Sequence, residues 1–244
     1  MTAEKQWADI TLSIAIPCYN EELTVIEMIA KVAKQTPLVR QIIVVNDGST
    51  DKTHQKLADL AGAWTNPQIS LNIIEQDHNR GKGAAVRKAI EAATEPFFLI
   101  QDADLELTPL DYRELCQPIR DGEADVVYGD RFPNGFPETL NILSRTANWI
   151  VSTLTNALYK MGIKDQACGY KLVPTSLIRE LNLTSNGFEI CSEMTAKLGL
   201  RRTQVSNVPV LYDPRTFSQG KKIRWKDGIL AVYTLLKYRL LSFI

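Results

Sequence analysis

Short apolar runs alternate with amphipathic stretches through the first half of the chain. Runs at 12–16, 41–45, 70–74, 97–100 and 125–128 have the length and β-branched content of strands. The stretches between them, at 22–33, 52–61, 82–93 and 110–120, carry the three-to-four spacing of helices. This βαβα order predicts an α/β fold, a mostly parallel sheet with helices on both faces, since parallel neighbours need helical crossovers to cover them. Ligands in such sheets sit beyond the carboxyl ends of the strands. The first, second and fourth runs end in the polar clusters Pro17-Cys18-Tyr19-Asn20-Glu21, Asn46-Asp47-Gly48-Ser49-Thr50-Asp51 and Asp102-Ala103-Asp104, which should converge on one edge.

After Gly129 the alternation stops. A proline- and glycine-bearing loop at 131–137 precedes a long helix from about 140 to 159, and shorter elements continue to 212. The segment from Trp225 is helical: at about 100° per residue, Trp225, Ile229, Val232, Tyr233, Leu236, Leu240 and Phe243 share one face, with Lys226 and Lys237 on another.

Composition adds limits. Hydrophobic content of 45% and charged content of 23% over 244 residues suit an ordinary globular domain. Four scattered cysteines form no Cys-x-x-Cys pair, so neither zinc nor a disulfide scaffold is expected, and a reducing cytosol fits. The N-terminus lacks the pattern of a signal peptide, and no run reaches the roughly 18–20 apolar residues of a membrane span. The net charge of zero hides an asymmetry: from Arg215 onward seven Lys or Arg face one acid, Asp227, leaving six net negative charges on the rest. The chain therefore divides into 1–212, an acidic domain, and 213–244, a basic loop and an amphipathic helix; nothing in it suggests nucleic-acid binding.

Three clusters carry candidate chemistry. Asp102, Asp104 and Glu106 follow the fourth apolar run, and in an extended conformation all three would project to one side as a half-shell for Mg²⁺ or Mn²⁺, with substrate phosphates completing it. Asp47 precedes the helix cap at Ser49 or Thr50 and is not needed for capping, which points to a nucleobase or ribose contact. The stretch 79–85, with Arg80, Gly81, Lys82 and Gly83, offers either a phosphate-cradling helix start or a tight helix–sheet turn; it lacks Walker spacing. His54 and His78 are isolated.

In order, IPCYNEE, VVNDGSTD, NRGKGAAVRKA, QDADLE, YGDRF and KDQACGYKLV resemble glycosyltransferase family 2, with its GT-A fold. Within it the chain is most similar to the dolichyl-phosphate mannose synthase-like branch and the bacterial polyprenyl-phosphate sugar transferases. The resemblance implies that Pro17, Tyr19, Glu21 and Asp47 meet the nucleotide of the donor, with Lys82 and Asp102 beside them. It implies Asp102, Asp104 and Glu106 as metal and diphosphate ligands and Arg131 as the arginine facing the phosphates. The loop with Arg215, Lys221 and Lys222 would close over donor diphosphate and acceptor phosphate. Asn46 stands where many members have Asp, and Asp130 where many have Ser, which leaves donor specificity open.

The expected activity is inverting transfer of a hexose, from a donor such as GDP-mannose or UDP-glucose, to a polyprenyl phosphate by an enzyme resting on the cytoplasmic face of a membrane. A phosphate monoester has its second pKa at about 6 and needs no base. A sugar-hydroxyl acceptor would need one, for which Asp165, Glu189 and Glu193 are candidates. A noncatalytic nucleotide-sugar-binding protein is a third reading, disfavoured by the intact Asp102 and Asp104. Donor, lipid length and oligomeric state are not legible.

Overall fold

The computed structural model describes residues 10–137, 142–214 and 225–242. Seven strands, β1 (Leu12–Cys18), β2 (Val39–Asn46), β3 (Ser70–Glu75), β4 (Phe97–Ile100), β5 (Val126–Asp130), β6 (Lys171–Pro174) and β7 (Val205–Pro209), form one sheet in the order β3-β2-β1-β4-β6-β5-β7. Every pairing is parallel except those of β6, which runs antiparallel to both β4 and β5. The chain reverses its direction of travel across the sheet at β1, between β2 and β4, which opens a crevice at the carboxyl ends of these strands.

Residues in the central strands are apolar on both faces because both faces are covered. On one face Ile14, Ile16, Ile42 and Val44 pack with α1 (Val25–Ala33), α2 (Thr53–Ala63) and α4 (Tyr112–Arg120). On the other, Ala15, Ile43, Val45 and Ile100 pack with α3 (Lys82–Ala92), α6 (Thr175–Glu180) and α7 (Ile190–Leu200). Successive strand residues thus enter opposite cores, as the two-residue period requires.

A third, smaller core joins α7 to α5 (Ile142–Tyr159) and α8 (Trp225–Leu241), through Val151, Tyr159, Ala196 and Leu235. The Tyr159 hydroxyl donates to the Leu235 carbonyl at 2.6 Å. The C-terminal helix is therefore seated on α5 and α7 through its Thr234 and Leu235 side. Of the expected apolar stripe, Ile229, Tyr233, Leu236 and Leu240 face outward, at 60, 59, 40 and 66% exposure, Val232 is half-buried against the third core, and the side chains of Trp225 and Phe243 lie outside the described residues.

Candidate active site

Two loops are stitched together at the carboxyl ends of β1 and β2. Asn20 adopts a left-handed φ of 53°, which lets its amide donate to Ser49 Oγ at 2.9 Å while its Oδ1 accepts from Thr50 N at 2.8 Å. The Glu21 amide donates to Thr53 Oγ1 and Glu21 Oε2 accepts from Thr24 Oγ1, so this buried acid also fixes the entry to α1. Pro17 and Tyr19 flank Cys18 on the same rim, half-buried.

Asp47 is buried, and its carboxylate accepts from Gln76 Nε2 at 2.8 Å, Arg80 N at 2.7 Å and Gly81 N at 2.8 Å. It thereby shapes the loop before α3. Farther along, the Ala84 amide donates to the Asn186 carbonyl at 3.1 Å. A phosphate cradle at the head of α3 does not form from these amides, because protein acceptors already hold them. The glycines serve close packing instead: a Cβ on Gly83 would lie 2.5 Å from the Ser185 carbonyl oxygen.

Gly81 is stricter, with φ of 98° and a would-be Cβ only 2.4 Å from the Asn186 carbonyl oxygen. Gly81→Ala is expected to cost about 2–3 kcal/mol, read as a lower urea midpoint. Gly122→Ala, with φ of 72° and nothing within 4 Å of its Cβ, supplies the control and should cost clearly less. Equal losses would show that the contact with Asn186 is immaterial.

The acidic loop is built on Gln101, fully buried at the end of β4. Its Oε1 accepts from the hydroxyls of Tyr112 and Tyr170 at 2.8 and 2.7 Å, and its Nε2 donates to the carbonyls of Asp102 and Leu107 at 3.0 and 3.3 Å. From this anchor the chain turns rather than staying extended, with Leu105 at φ of 65°. The expected half-shell of Asp102, Asp104 and Glu106 is therefore not formed, and among the described residues no three His, Cys, Asp or Glu side chains converge as a metal cage.

The loop instead sends its acids two ways. Asp102 Oδ1 pairs with Lys82 Nζ at 2.5 Å, and its carboxylate passes where a side chain on Gly169 would sit, with Oδ2 at 2.6 Å from that Cβ position. Burial opposes the charge on Lys82, but the attraction of Asp102 overcomes it, so the ammonium is held more firmly than usual. Glu106 accepts from the Tyr212 hydroxyl, while the charge of Asp104 reaches both Lys82 and Tyr212; burial, reinforced by these acids, pushes the Tyr212 pKa up to about 12. The segment is tied down by a Leu107–Tyr212 bridge, by Asp213 N donating to the Glu106 carbonyl at 2.9 Å, and by Leu211 N donating to Asp111 Oδ2 at 2.8 Å. A divalent cation fits this donor set as an ion held by one or two loop carboxylates and completed by phosphate oxygens.

Across Tyr212 stands Arg131, just after β5. Its guanidinium lies 5.0 Å from the Tyr212 ring centre and 5.1 Å from that of Phe132. Asp165 grips it twice, Nε to Oδ2 at 2.7 Å and Nη2 to Oδ1 at 2.9 Å, and Oδ2 also accepts from the Arg131 amide at 3.2 Å. Burial alone would raise the carboxyl pKa of Asp165, but the Arg131 charge and these bonds hold it below its ordinary value. The loop carrying Asp165 is itself clamped by Lys171, fully buried, whose Nζ donates to the carbonyls of Gln166 and Cys168 at 3.0 and 2.5 Å.

These contacts revise two of the candidate bases. Asp165 holds Arg131 with both oxygens, and that charge keeps its carboxyl pKa below the ordinary value, which weakens it as a proton acceptor. Glu193, buried in α7, accepts from the amides of Thr184 and Ser185, from Lys197 Nζ and from the Tyr238 hydroxyl. Burial raises its pKa, but these donors together lower it to about 2, far from a base poised near neutrality. Glu189 remains open to the role: it is half-buried, accepts from Gly187 N at 3.0 Å, and lines a cavity of about 300 Å³ with Thr184, Ser185, Asn186 and Tyr233. Arg215, Lys221 and Lys222 lie outside the described residues.

Because its folded pKa is depressed from 4.5, Glu193 contributes stability above about pH 4.5 that is lost as pH falls toward about 2. In acid titrations followed by circular dichroism, wild type should lose stability relative to Glu193→Gln across that window. Parallel curves would mean that these contacts contribute nothing.

The sheet order, the crevice and its acidic loop define a GT-A-type α/β fold. Its structural likeness to glucosyl-3-phosphoglycerate synthase of Mycobacterium tuberculosis, crystallised with Mn²⁺, uridine diphosphate and phosphoglyceric acid, has a TM-score of 0.73 at 18% identity, covering 97% of this chain and 81% of the other. Residues 13–181 match the model of glycosyl transferase family 2, and the chain belongs to that family.

Its relatives include the glycosyltransferase AglJ of Haloferax volcanii, 30% identical over 203 residues, covering 83% of this chain and 63% of AglJ. The dolichol-phosphate mannosyltransferase of Pyrococcus furiosus is 26% identical over 237 residues, covering 93% and 64%. The dodecaprenyl-phosphate galacturonate synthase of Rhizobium johnstonii is 27% identical over 177 residues, covering 71% and 51%. This chain thus spans between about half and two thirds of the length of these relatives.

Proposed function

We propose that this chain transfers a hexose, mannose or glucose, from a nucleotide-sugar donor to a polyprenyl phosphate at a membrane surface. The observation that carries the reading is the meeting of opposite charges at Tyr212, whose hydroxyl hydrogen-bonds to Glu106 within reach of the Asp104 charge and whose ring packs against the guanidinium of Arg131. Such a site suits a donor diphosphate and an anionic acceptor together. The names of the Pyrococcus and Rhizobium relatives, both polyprenyl-phosphate enzymes, support the acceptor class.

In this reading the rim of Pro17, Tyr19, Glu21 and the Asp47-ordered loop receives the nucleotide, with Lys82 beside the diphosphate. Asp104, with Asp102, would hold Mg²⁺ or Mn²⁺, which supplies neutralisation of the departing diphosphate when bound. Arg131, preorganised by Asp165, faces the acceptor phosphate. A phosphate oxygen of the acceptor bonds to the anomeric carbon as that carbon's bond to the diphosphate oxygen breaks. The bonding pair leaves with the nucleoside diphosphate, and the sugar inverts. Residues 1–212 form the catalytic domain; Arg215, Lys221 and Lys222, assigned to the phosphates from the sequence alone, belong to the 213–244 appendage. No described helix is long and apolar enough to cross a membrane. In this reading the lipid is met at the membrane surface, on the cytoplasmic side.

One observation favours a second reading, transfer to a sugar hydroxyl: Glu189 lines a cavity with the hydroxyl-bearing Thr184, Ser185, Tyr233, Thr234 and Tyr238. Radiolabelled nucleotide sugars, offered with Mn²⁺ and either a polyprenyl phosphate or soluble sugars, separate the two. The proposal expects label in the organic phase and a Glu189→Gln variant within a few-fold of wild type. Label only in soluble product, abolished by Glu189→Gln, would establish the second reading instead.

A further inference from the structure

We propose that Lys82 fills the cation position at Asp102 in the free chain and is drawn away by the donor diphosphate, so that divalent cation and diphosphate bind as a coupled pair. The inference rests on the donor placement given above and goes beyond it by fixing how the two ligands depend on each other. Lys82 Nζ lies 2.5 Å from Asp102 Oδ1. The other oxygen, Oδ2, takes the space that a side chain on Gly169 would fill, 2.6 Å from that Cβ position. One oxygen of the carboxylate thus carries the ammonium, and the other is backed by the Gly169 backbone.

The two partners are held by separate supports. Lys82 is the first residue of α3, and the turn before it is pinned: Asp47 accepts from the amides of Arg80 and Gly81, and the Ala84 amide donates to the Asn186 carbonyl. On the other strand end, Gln101 Nε2 donates to the Asp102 carbonyl at 3.0 Å. With both backbones fixed, separating the pair falls to the side chains. The flexible four-carbon stem of lysine can carry its ammonium off Asp102 while the helix start stays in place. The Phe188 ring, its centre 5.6 Å from Nζ, gives the ammonium a further contact that does not involve the carboxylate.

The side chains of Lys82 and Asp102 are only 14 and 27% exposed, so parting them without replacement partners leaves two poorly hydrated charges. A divalent ion arriving alone must displace the ammonium from Oδ1 and leave it unpaired. A diphosphate arriving alone can take the ammonium, but leaves Asp102 beside anionic oxygens. When both arrive the partners exchange: the ammonium meets phosphate oxygens, the carboxylate meets the cation, and every charge stays paired. Each ligand then raises the affinity of the other by the same factor, as linkage requires.

Mn²⁺ binding to the full chain, followed by the electron paramagnetic resonance of the free ion, tests this without turnover, alone and with guanosine or uridine diphosphate. Wild type should bind Mn²⁺ weakly alone and about a hundredfold more tightly with the nucleotide. Lys82→Met should bind Mn²⁺ alone about tenfold more tightly than wild type, and the enhancement by nucleotide should shrink by that same factor, because both measure one ion pair. A lysine serving only the fold or only the diphosphate would give no such gain on removal. Lys88→Met, which removes an exposed cation farther along α3, should leave Mn²⁺ affinity within about twofold of wild type. Should Lys82→Met fold poorly, Lys82→Arg supplies the second readout: its guanidinium grips a carboxylate with two N–H groups, so Mn²⁺ alone should bind it more weakly than wild type. Tighter binding there would overturn the proposal. Unchanged Mn²⁺ affinity in Lys82→Met, with wild type binding the nucleotide, would overturn this role of Lys82 and leave the donor placement standing. A wild type that binds neither nucleotide would overturn the donor placement and this inference together.

Discussion

Asp104→Asn is expected to lower donor turnover by a hundred- to a thousandfold while leaving stability within about 0.5 kcal/mol of wild type. Asp104 is half-buried in the turn after Ala103, and its Oδ1 accepts from the Glu106 amide at 3.1 Å, a bond that an asparagine oxygen can keep. The substitution therefore removes charge where a diphosphate and its cation would sit without dismantling the loop, which hangs on Gln101. Asp102→Asn is the informative contrast. It takes the counter-charge from Lys82, so it should weaken stability as well as activity. Donor-hydrolysis rates beside urea midpoints for both variants make the comparison, and an Asp104→Asn enzyme within tenfold of wild type would remove Asp104 from the reaction centre.

Asp165→Asn should cost about 3–5 kcal/mol, because it leaves the guanidinium of Arg131 enclosed without its charge partner. The sign of the pH dependence follows from the depressed carboxyl pKa. The pair's contribution is complete above the ordinary value of 3.8 and is lost as pH falls through the lower folded value. Wild type should therefore converge on the variant in strong acid. Activity should drop too, through loss of Arg131 orientation, and here the pH–rate profile discriminates. A positioning role leaves the shape of the profile unchanged, and Arg131→Lys, which cannot reproduce the two-pronged grip, should lower the rate in the same way. A variant that retains full stability but loses the acidic limb of the profile would restore Asp165 as the base.

The parallel core was legible because its signal is local. An apolar run such as LSIAIPC has few outcomes other than a strand covered on both faces, and the polar residues that follow it must emerge at its carboxyl end. The family motifs were legible for the same reason, as short contiguous strings. The roles of Gln101, Tyr170 and Tyr212 were not legible, although the first two stand inside quoted motifs, because they lie in partners 69, 11 or about a hundred residues away, such as the Tyr170–Gln101 and Tyr112–Gln101 bonds. The antiparallel insertion of β6 between β4 and β5 was equally hidden, since strand order is a property of pairing and not of any one strand.

Sequence by itself determined the α/β class, the family and the acids and cations that meet at the crevice, because periodicity and ordered motifs are written along the chain. Tertiary structure decided what each charge faces. A left-handed turn at Leu105 set Asp102 against Lys82 and Glu106 against Tyr212, a bidentate grip set Asp165 against Arg131, and packing through Leu235 left Ile229, Tyr233, Leu236 and Leu240 facing outward. Each outcome depends on a backbone turn or on a partner distant in sequence, and neither is encoded in the spacing of neighbouring residues.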